Sequence, residues 1–408
     1  MEEALNRVLA AIPVLGLETV GLASALGRIL AESVVAGRDL PPWDNSSMDG
    51  YALRAADVRD ASPARPARLA LLGDVPAGAV ATRLAGPGEA YRVLTGAPMP
   101  PGTDAVVPQE DVRREGERVA VARPVRPGEF VRPRGEDIRA GDVVIEPGTA
   151  LDPAALGVLA ALGRPIVRVY QQPRVAILST GDELVDLDTA PGPGQIPNSN
   201  TYTLAGQVRE AGGVPVTLGI ARDAREDLEE HFRWGLGADM LVSSAGVSVG
   251  DRDFVREVME KLGAELDFWR VSMRPGKPLA FGRVGGRPFF GLPGNPVSSM
   301  VTFELFVRPA LRRMGGHGRL FRPRVRAEVL EALDNPGARQ GYLRVRLLER
   351  DGRVQARPTG EQGSGILRSM LLADGLAVVP PDTRIGPGDA IEVILLRNEW
   401  MRSGVRNG

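Results

Sequence analysis

Arg270, Arg274 and Lys277 lie within eight residues of one another around a Pro-Gly turn. They open the segment RVSMRPGKPLAFGRVGGRPFFGLPGNPVSSM, residues 270–300. Two strand-like runs follow, joined by Gly285-Gly286, which reads as a hairpin. Pro293-Gly294-Asn295-Pro296 then leads into a helix-like run from Val297 to Phe306. Asn295 suits the N-cap and Pro296 the first helical position. A helix start of this kind presents unpaired N–H groups and the positive end of the helix dipole. Cations on the preceding turn make sense if the place holds an anion, or a ligand with several phosphates. Three more polar junctions follow strand-like runs: Ser179-Thr180-Gly181-Asp182-Glu183, Arg222-Asp223, and Ser243 through Asp251. In an open parallel sheet, ligands bind at the carboxyl ends of the strands. Asp and Glu there, beside Arg and Lys, suit a phosphate-bearing ligand with a bound cation. Asp251 reads equally well as a helix cap or as a functional group, and Asp182 as a residue that shapes its turn or as a functional one. Glu183 and Asp223 have no cap role and stand equally well as functional groups or as solvated charge.

Composition narrows the chemistry. The chain has 408 residues, too long for one ordinary core, so two to four domains are expected. The formal net charge is −1, which gives no overall basic field to attract nucleic acid. No apolar run is long enough to span a bilayer, and the N-terminal MEEALNRVLAAIPVL carries acid where a signal peptide carries base. The expected location is the cytoplasm. There is no cysteine, which excludes thiolate catalysis and Cys-based zinc sites. The two histidines are His231, expected on a helix surface, and His317, in a Gly-rich loop without a triad partner. Any metal must therefore be held by oxygen, which favours magnesium or a similar hard cation. No G-x-x-x-x-G-K-[ST] motif occurs and no G-x-G-x-x-G follows a strand, so ATPase and dinucleotide readings are poor.

The elements that must position these residues fall into blocks. From Met1 to about Val34 helical periodicity predicts two helices, EEALNRVLAAI and GLASALGRILAESVV. Short strands cut by Pro and Gly fill Tyr51 to Pro147 and predict a small all-β insertion of barrel or sandwich type. A helix over Leu151–Leu162, capped by Asp152, comes next. From Pro173 strands and helices alternate, predicting a doubly wound parallel sheet through about Met314. After Phe321 the pattern is β again, with Asp351-Gly352 as a hairpin turn, and a small C-terminal barrel is expected.

Seven stretches then carry a resemblance. They are DLPPWDNSSMDGYA (39–52), LTGAPMPPGTDAVV (94–107), RGEDI (134–138), LSTGDEL (178–184), GVSVGD (246–251), MRPGKP (273–278) and GLPGNPVS (291–298). In order and over nearly the whole chain, they resemble the signatures of the MoeA family of molybdenum insertion proteins, which includes the gephyrin E domain. The resemblance implies a multidomain α/β plus β fold. Its parts would be a discontinuous first domain (1–34 and 133–168), an inserted β-rich domain (35–132), a doubly wound MogA-like domain (169–318) and a C-terminal β barrel (319–408). It implies the final step of molybdenum cofactor biosynthesis, in which molybdate enters adenylylated molybdopterin, the adenylate is hydrolysed with help from Mg2+, and AMP leaves. It further implies a homodimer and a transient contact with the molybdopterin adenylyltransferase. Carried over position by position, the catalytic residues would be Asp49, Thr95, Asp137, Glu183 and Asp223, with Glu183 and Asp223 on the metal. Substrate and oxyanion would meet Ser248, Asp251, Arg270, Arg274, Lys277, Ser298, Arg344 and Ser369.

Two departures stand out. Arg270 and Arg274 replace lysines common in the family, and an arginine fork holds an oxyanion differently from an ammonium. Ala245-Gly246 replaces the usual Gly-Gly, so one methyl group tightens the loop that would hold the pterin phosphate. Two other readings stay open at this level: a relative that inserts tungstate, and a pterin-binding scaffold without catalysis.

Overall fold

The computed structural model describes residues 1–76, 78–245 and 254–397. Its centre is a six-stranded sheet. The strand order is Val214–Ala221, Arg174–Thr180, Met240–Ser244, Arg287–Leu292, Pro278–Val284, Glu265–Arg270. The first four are parallel, and Pro278–Val284 runs antiparallel to both its neighbours. Alternate residues of each strand enter different cores. Val175 and Ile177 pack with Leu204 and Val208 of the Ser199–Glu210 helix, whereas Ala176 and Leu178 pack with Leu228 and Phe232 of the Arg225–Gly235 helix. Helices therefore cover both faces, as expected for strands that read as continuous apolar runs. The Gly285-Gly286 hairpin forms as expected, with φ of 55° and 79°, the positive values a tight two-residue turn needs.

The helix after the basic segment starts at Pro296, as expected, but it is not uniform. Pro296–Thr302 is α-helical, Phe303–Val307 widens into a π turn, and Arg308–Met314 resumes the α form. Buried Glu304 sits in the π turn and takes both Arg322 nitrogens, Nε at 3.0 Å and Nη2 at 3.2 Å.

The N-terminal expectation is half correct. Glu2–Ala11 is a helix, and its Val8 and Ile12 join the core of the central sheet. The second expected helix does not form. Within Gly21–Val35 only Leu22–Ser24 is helical, as a short 3-10 turn, while Ile29 and Leu30 bridge to Ala150 and Val169 and Val34–Val35 pairs with Val143–Ile145. A partner strand far along the chain satisfies this backbone and overrides the local helical pattern. The helix at Pro153–Ala161 forms as read, with the Asp152 carboxylate accepting from Ala155 N at 2.8 Å.

The insertion is a single six-stranded sheet rather than two packed sheets. Its edges, Ala105–Pro108 and Val112–Glu115, are linked by the short Gln109–Asp111 turn. The C-terminal strands close into a five-stranded barrel, because Gln340–Arg350 pairs with both Arg353–Pro358 and Gly375–Val379. Asp351 and Gly352 make the expected turn. A sixth short strand, Met273–Arg274, leaves the central domain and pairs with Gln340–Gly341 at the barrel rim. That pairing carries the basic turn to the barrel.

Candidate active site

The basic turn is fixed by tight packing. Gly276 has φ 103°, and a Cβ there would lie 2.6 Å from Thr302 Cγ2, so only glycine fits. Val271 N donates to Lys277 O at 3.0 Å and closes the turn. Arg270, Arg274 and Lys277 are all exposed, and among the described residues neither Arg270 nor Lys277 has a side-chain partner. Arg274 Nη1 donates only a long bond, 3.4 Å, to Pro336 O.

The barrel supplies a fourth cation. Arg344 is 0% exposed. Its Nε donates to Ser369 Oγ at 3.1 Å and its Nη2 to Gly363 O at 3.2 Å, but Nη1 is buried without a partner. No carboxylate pairs with this guanidinium among the described residues. Burial, and then the charge of Arg274, pull its pKa down to about 10, so it stays protonated at neutral pH. The loop that accepts from Arg344 also reaches the helix start, since Val297 N donates to Ser364 O at 3.1 Å. Ser298 is buried in the first turn of that helix. One N–H of the expected anion nest is thus already spent on Ser364. The Asn295 side chain makes no capping bond, although the residue does occupy the N-cap position.

A cleft of about 590 Å³ opens beside this group at the carboxyl ends of three parallel strands. Thr180 and Glu183, Ser244 and Ala245, and Pro293 to Pro296 line it, with Pro278 and Gly365 on the basic side. The Glu183 carboxylate folds back over Gly181, where a Cβ would lie 2.6 Å from its oxygen, and it has no partner among the described residues. Asp223 N donates to Asp182 Oδ1 at 3.2 Å, so the ends of the two neighbouring strands are tied together. Among the described residues no group of three or more Asp, Glu or His is gathered closely enough to hold a metal by itself. Magnesium commonly takes one or two carboxylates and completes its shell with water and substrate phosphate, so an oxygen-only edge with Asp182, Glu183 and Asp223 fits that ion. Ala245 stands at φ 75°, a left-handed conformation that costs a residue with a Cβ. Ser248 and Asp251 lie outside the described residues.

The other expected residues form a second group elsewhere. Asp49 Oδ1 accepts from Thr95 N at 2.7 Å and from Thr95 Oγ1 at 2.8 Å. These two bonds, the N–H contributing more, lower the Asp49 pKa and keep it ionised. Gly50 is obligatory beside it, because a Cβ would lie 2.1 Å from Val107 O. Asp44 accepts from Arg134 N at 2.7 Å, and Arg134 also pairs with Asp39, so the first and third signature stretches meet here. Asp137 is exposed on the same junction, with its N donating to Leu40 O at 3.0 Å. None of Asp49, Thr95 and Asp137 lines the strand-end cleft of its own chain. The histidines stay out of both groups. His231 is half-buried rather than on the surface, bonded to Asp227 O at 2.7 Å, and burial with Arg312 and Arg308 pushes His317 down to about 3.

Comparison with known proteins decides the family. Three family models match in succession. The MoeA N-terminal region (domain I and II) matches residues 1–163, a probable molybdopterin binding domain matches 176–313, and the MoeA C-terminal region (domain IV) matches 326–396. A Nostoc sp. protein named molybdopterin molybdenumtransferase is 41% identical over 386 residues, covering 93% of this chain and 88% of that protein. The chain belongs to the MoeA family. A Mycobacterium tuberculosis relative, molybdopterin molybdenumtransferase 2, is 38% identical over 92% of this chain and 94% of its own length. The crystal structure of a molybdopterin biosynthesis MoeA protein from Pyrococcus horikosii superposes with a TM-score of 0.83 at 34% identity, covering 97% of this chain and 98% of that one. Within this MoeA chain, the residue that pattern reading missed is Asn200. Asn200 Nδ2 donates to Ser244 Oγ and to Gly294 O, each at 2.7 Å. The signal was a Pro197-Asn-Ser-Asn cluster just ahead of a helix, easily taken for capping alone.

Proposed function

We propose that this chain is a molybdopterin molybdenumtransferase that inserts molybdate into adenylylated molybdopterin and releases AMP. The observation that carries the reading is Arg344. A buried guanidinium with an unpartnered Nη1, facing Arg274 instead of a carboxylate, is an unfavourable arrangement unless an anion completes it. Molybdate is a tetrahedral dianion with four acceptor oxygens. Arg344 and Arg274 offer forked donors, Lys277 an ammonium, and Ser298 and Ser369 hydroxyls. Arg270 adds positive charge at the mouth.

The strand-end cleft takes the pterin phosphate and adenylate in this reading. Water bonds to the adenylate phosphorus, the phosphoanhydride P–O bond breaks, and the pterin phosphate leaves. Magnesium, held by Glu183 and Asp223 together with substrate phosphate, supplies charge neutralisation when bound. The cations of the basic turn hold the phosphate oxygens on which negative charge builds. The dithiolene sulfurs belong to the substrate, which suits a protein without cysteine.

The same reading makes the working unit a homodimer. Asp49, Thr95 and Asp137 do not reach their own cleft, and Trp43 (51% exposed) and Met48 (37%) stand open beside them, as suits a surface that meets a partner's cleft. A transient contact with an adenylyltransferase completes the proposal.

The test is molybdate binding. Arg344→Met removes the unpartnered donor and is expected to weaken binding tenfold or more, on the order of 1.5–3 kcal/mol for a hydrogen bond to a charged group. Ser369→Ala, a milder change, is expected to weaken it less. Unchanged binding in both folded variants would remove the barrel from the site.

A further inference from the structure

Asn200 lines the strand-end cleft with the chemistry of its side chain only half used. It sits in the first turn of the Ser199–Glu210 helix and lines the cleft with Ser244 and Gly294. Both bonds noted above are made by the amide nitrogen. The carbonyl oxygen of Gly294 can only accept, so the amide cannot flip without setting two oxygens against each other. Its own oxygen, Oδ1, is buried and has no partner. Buried carbonyl oxygens are seldom left in that state, because the lost hydration is not recovered. Other unpartnered buried atoms exist, among them Ser243 Oγ and Ser299 Oγ, but of the residues that own them only Asn200 lines this cleft.

Gln207, further along the same helix, shows what a clamp alone looks like. Its Nε2 donates to Met300 O at 3.1 Å and Glu304 Oε1 at 3.0 Å, and its oxygen is likewise unpartnered. It faces a different and larger cleft, of about 970 Å³, away from the strand ends. Both amides tie this helix to the segment that begins at Gly294. Only Asn200 does so at the wall of the proposed substrate cleft.

We propose that Asn200 Oδ1 is a recognition group that accepts an N–H from the exocyclic amino group of a nitrogen heterocycle. This inference rests on the reading of the cleft as a site for a pterin nucleotide. Such a ligand offers two sources, the 2-amino group of the pterin and the 6-amino group of adenine. Both put a donor where Oδ1 needs one, and an oxo group at either position would set oxygen against oxygen. Asn200 thus selects the ring, while the cations select the phosphate and oxyanion. Its nitrogen, held by Ser244 and Gly294, fixes the oxygen before any ligand arrives.

The test uses ligand pairs that differ at the amino group. The full chain is titrated with 6-hydroxymethylpterin and its 2-oxo counterpart, and separately with AMP and inosine monophosphate. The protein is expected to bind the amino member of one pair at least about fivefold more tightly, the weight of one net hydrogen bond. The pair that shows the preference identifies the ring that Asn200 reads. Asn200→Ala is expected to bind both members of that pair alike, whereas Gln207→Ala keeps the preference. A folded Asn200→Ala protein that still prefers the amino ligand would overturn the inference. So would a wild-type protein that binds the rings without preference, and that result needs no variant to fold. If the wild type binds no member of either pair, the reading of the cleft falls and the inference falls with it.

Discussion

Ala245 stands in a strained place at the wall of the strand-end cleft. Its φ of 75° lies in the left-handed region, where a Cβ crowds the following carbonyl at a cost of roughly 1–2 kcal/mol. Its methyl group also fills the wall of the strand-end cleft, and a Cβ on Gly294 would lie 3.3 Å from it. Ala245→Gly removes both effects but adds freedom to the unfolded chain. A net gain of about 1 kcal/mol is expected, seen as a higher thermal midpoint together with a slightly roomier cleft. A lower midpoint would mean that the methyl group packs better than its backbone suffers. Residue type and spacing made Glu183, Lys277 and Arg274 visible in the sequence, because each follows a strand or a Pro-Gly turn. They could not reveal Arg344 without the family resemblance. Its meaning lies in burial and in the nearness of Arg274, neither of which spacing encodes.

Among the elements, the Met273–Lys277 turn does the joining. Met273 and Arg274 pair with the barrel strand at Gln340 and Gly341, while Gly276 packs on Thr302 of the Pro296–Thr302 helix. One short segment thereby sets the distance between the central sheet and Arg344. Gly276→Ala would force a Cβ against Thr302 in a backbone conformation that disfavours it, at a cost of roughly 1–3 kcal/mol. The expected result is a lower thermal midpoint and molybdate binding weakened out of proportion to the unfolded fraction. Loss of stability with unchanged molybdate affinity would show that the turn only packs. The alternating strands and helices of residues 174–314 were legible because buried parallel strands and amphipathic helices have different apolar periods. The stretch from Gly21 to Val35 was not. Its apolar spacing suits a helix, yet Ile29, Leu30 and Val34 pair with Ala150, Val169 and Ile145, distant partners that no local pattern announces.

For the whole molecule, the question is how two separated groups of residues serve one reaction. Asp49 and Thr95 sit on the inserted sheet, and the cations sit between the central sheet and the barrel. If the site is shared between subunits, mixing Asp49→Ala chains with Lys277→Ala chains gives heterodimers in which one of the two sites carries neither lesion. Partial recovery of activity is then expected, up to about half the wild-type rate per heterodimer by site counting. No recovery, with heterodimers shown to form, would place both residues in one subunit's site. The central claim, however, is that this chain couples adenylate loss to molybdate insertion. The direct measurement is a single-turnover reaction of the purified chain with adenylylated molybdopterin, magnesium and molybdate, following AMP and pterin-bound molybdenum together. The account predicts that both appear at one rate, and that Glu183→Gln retains the substrate but releases no AMP. An intact adenylate after prolonged incubation of the wild-type chain, or AMP released without molybdenum entering the pterin, would contradict it.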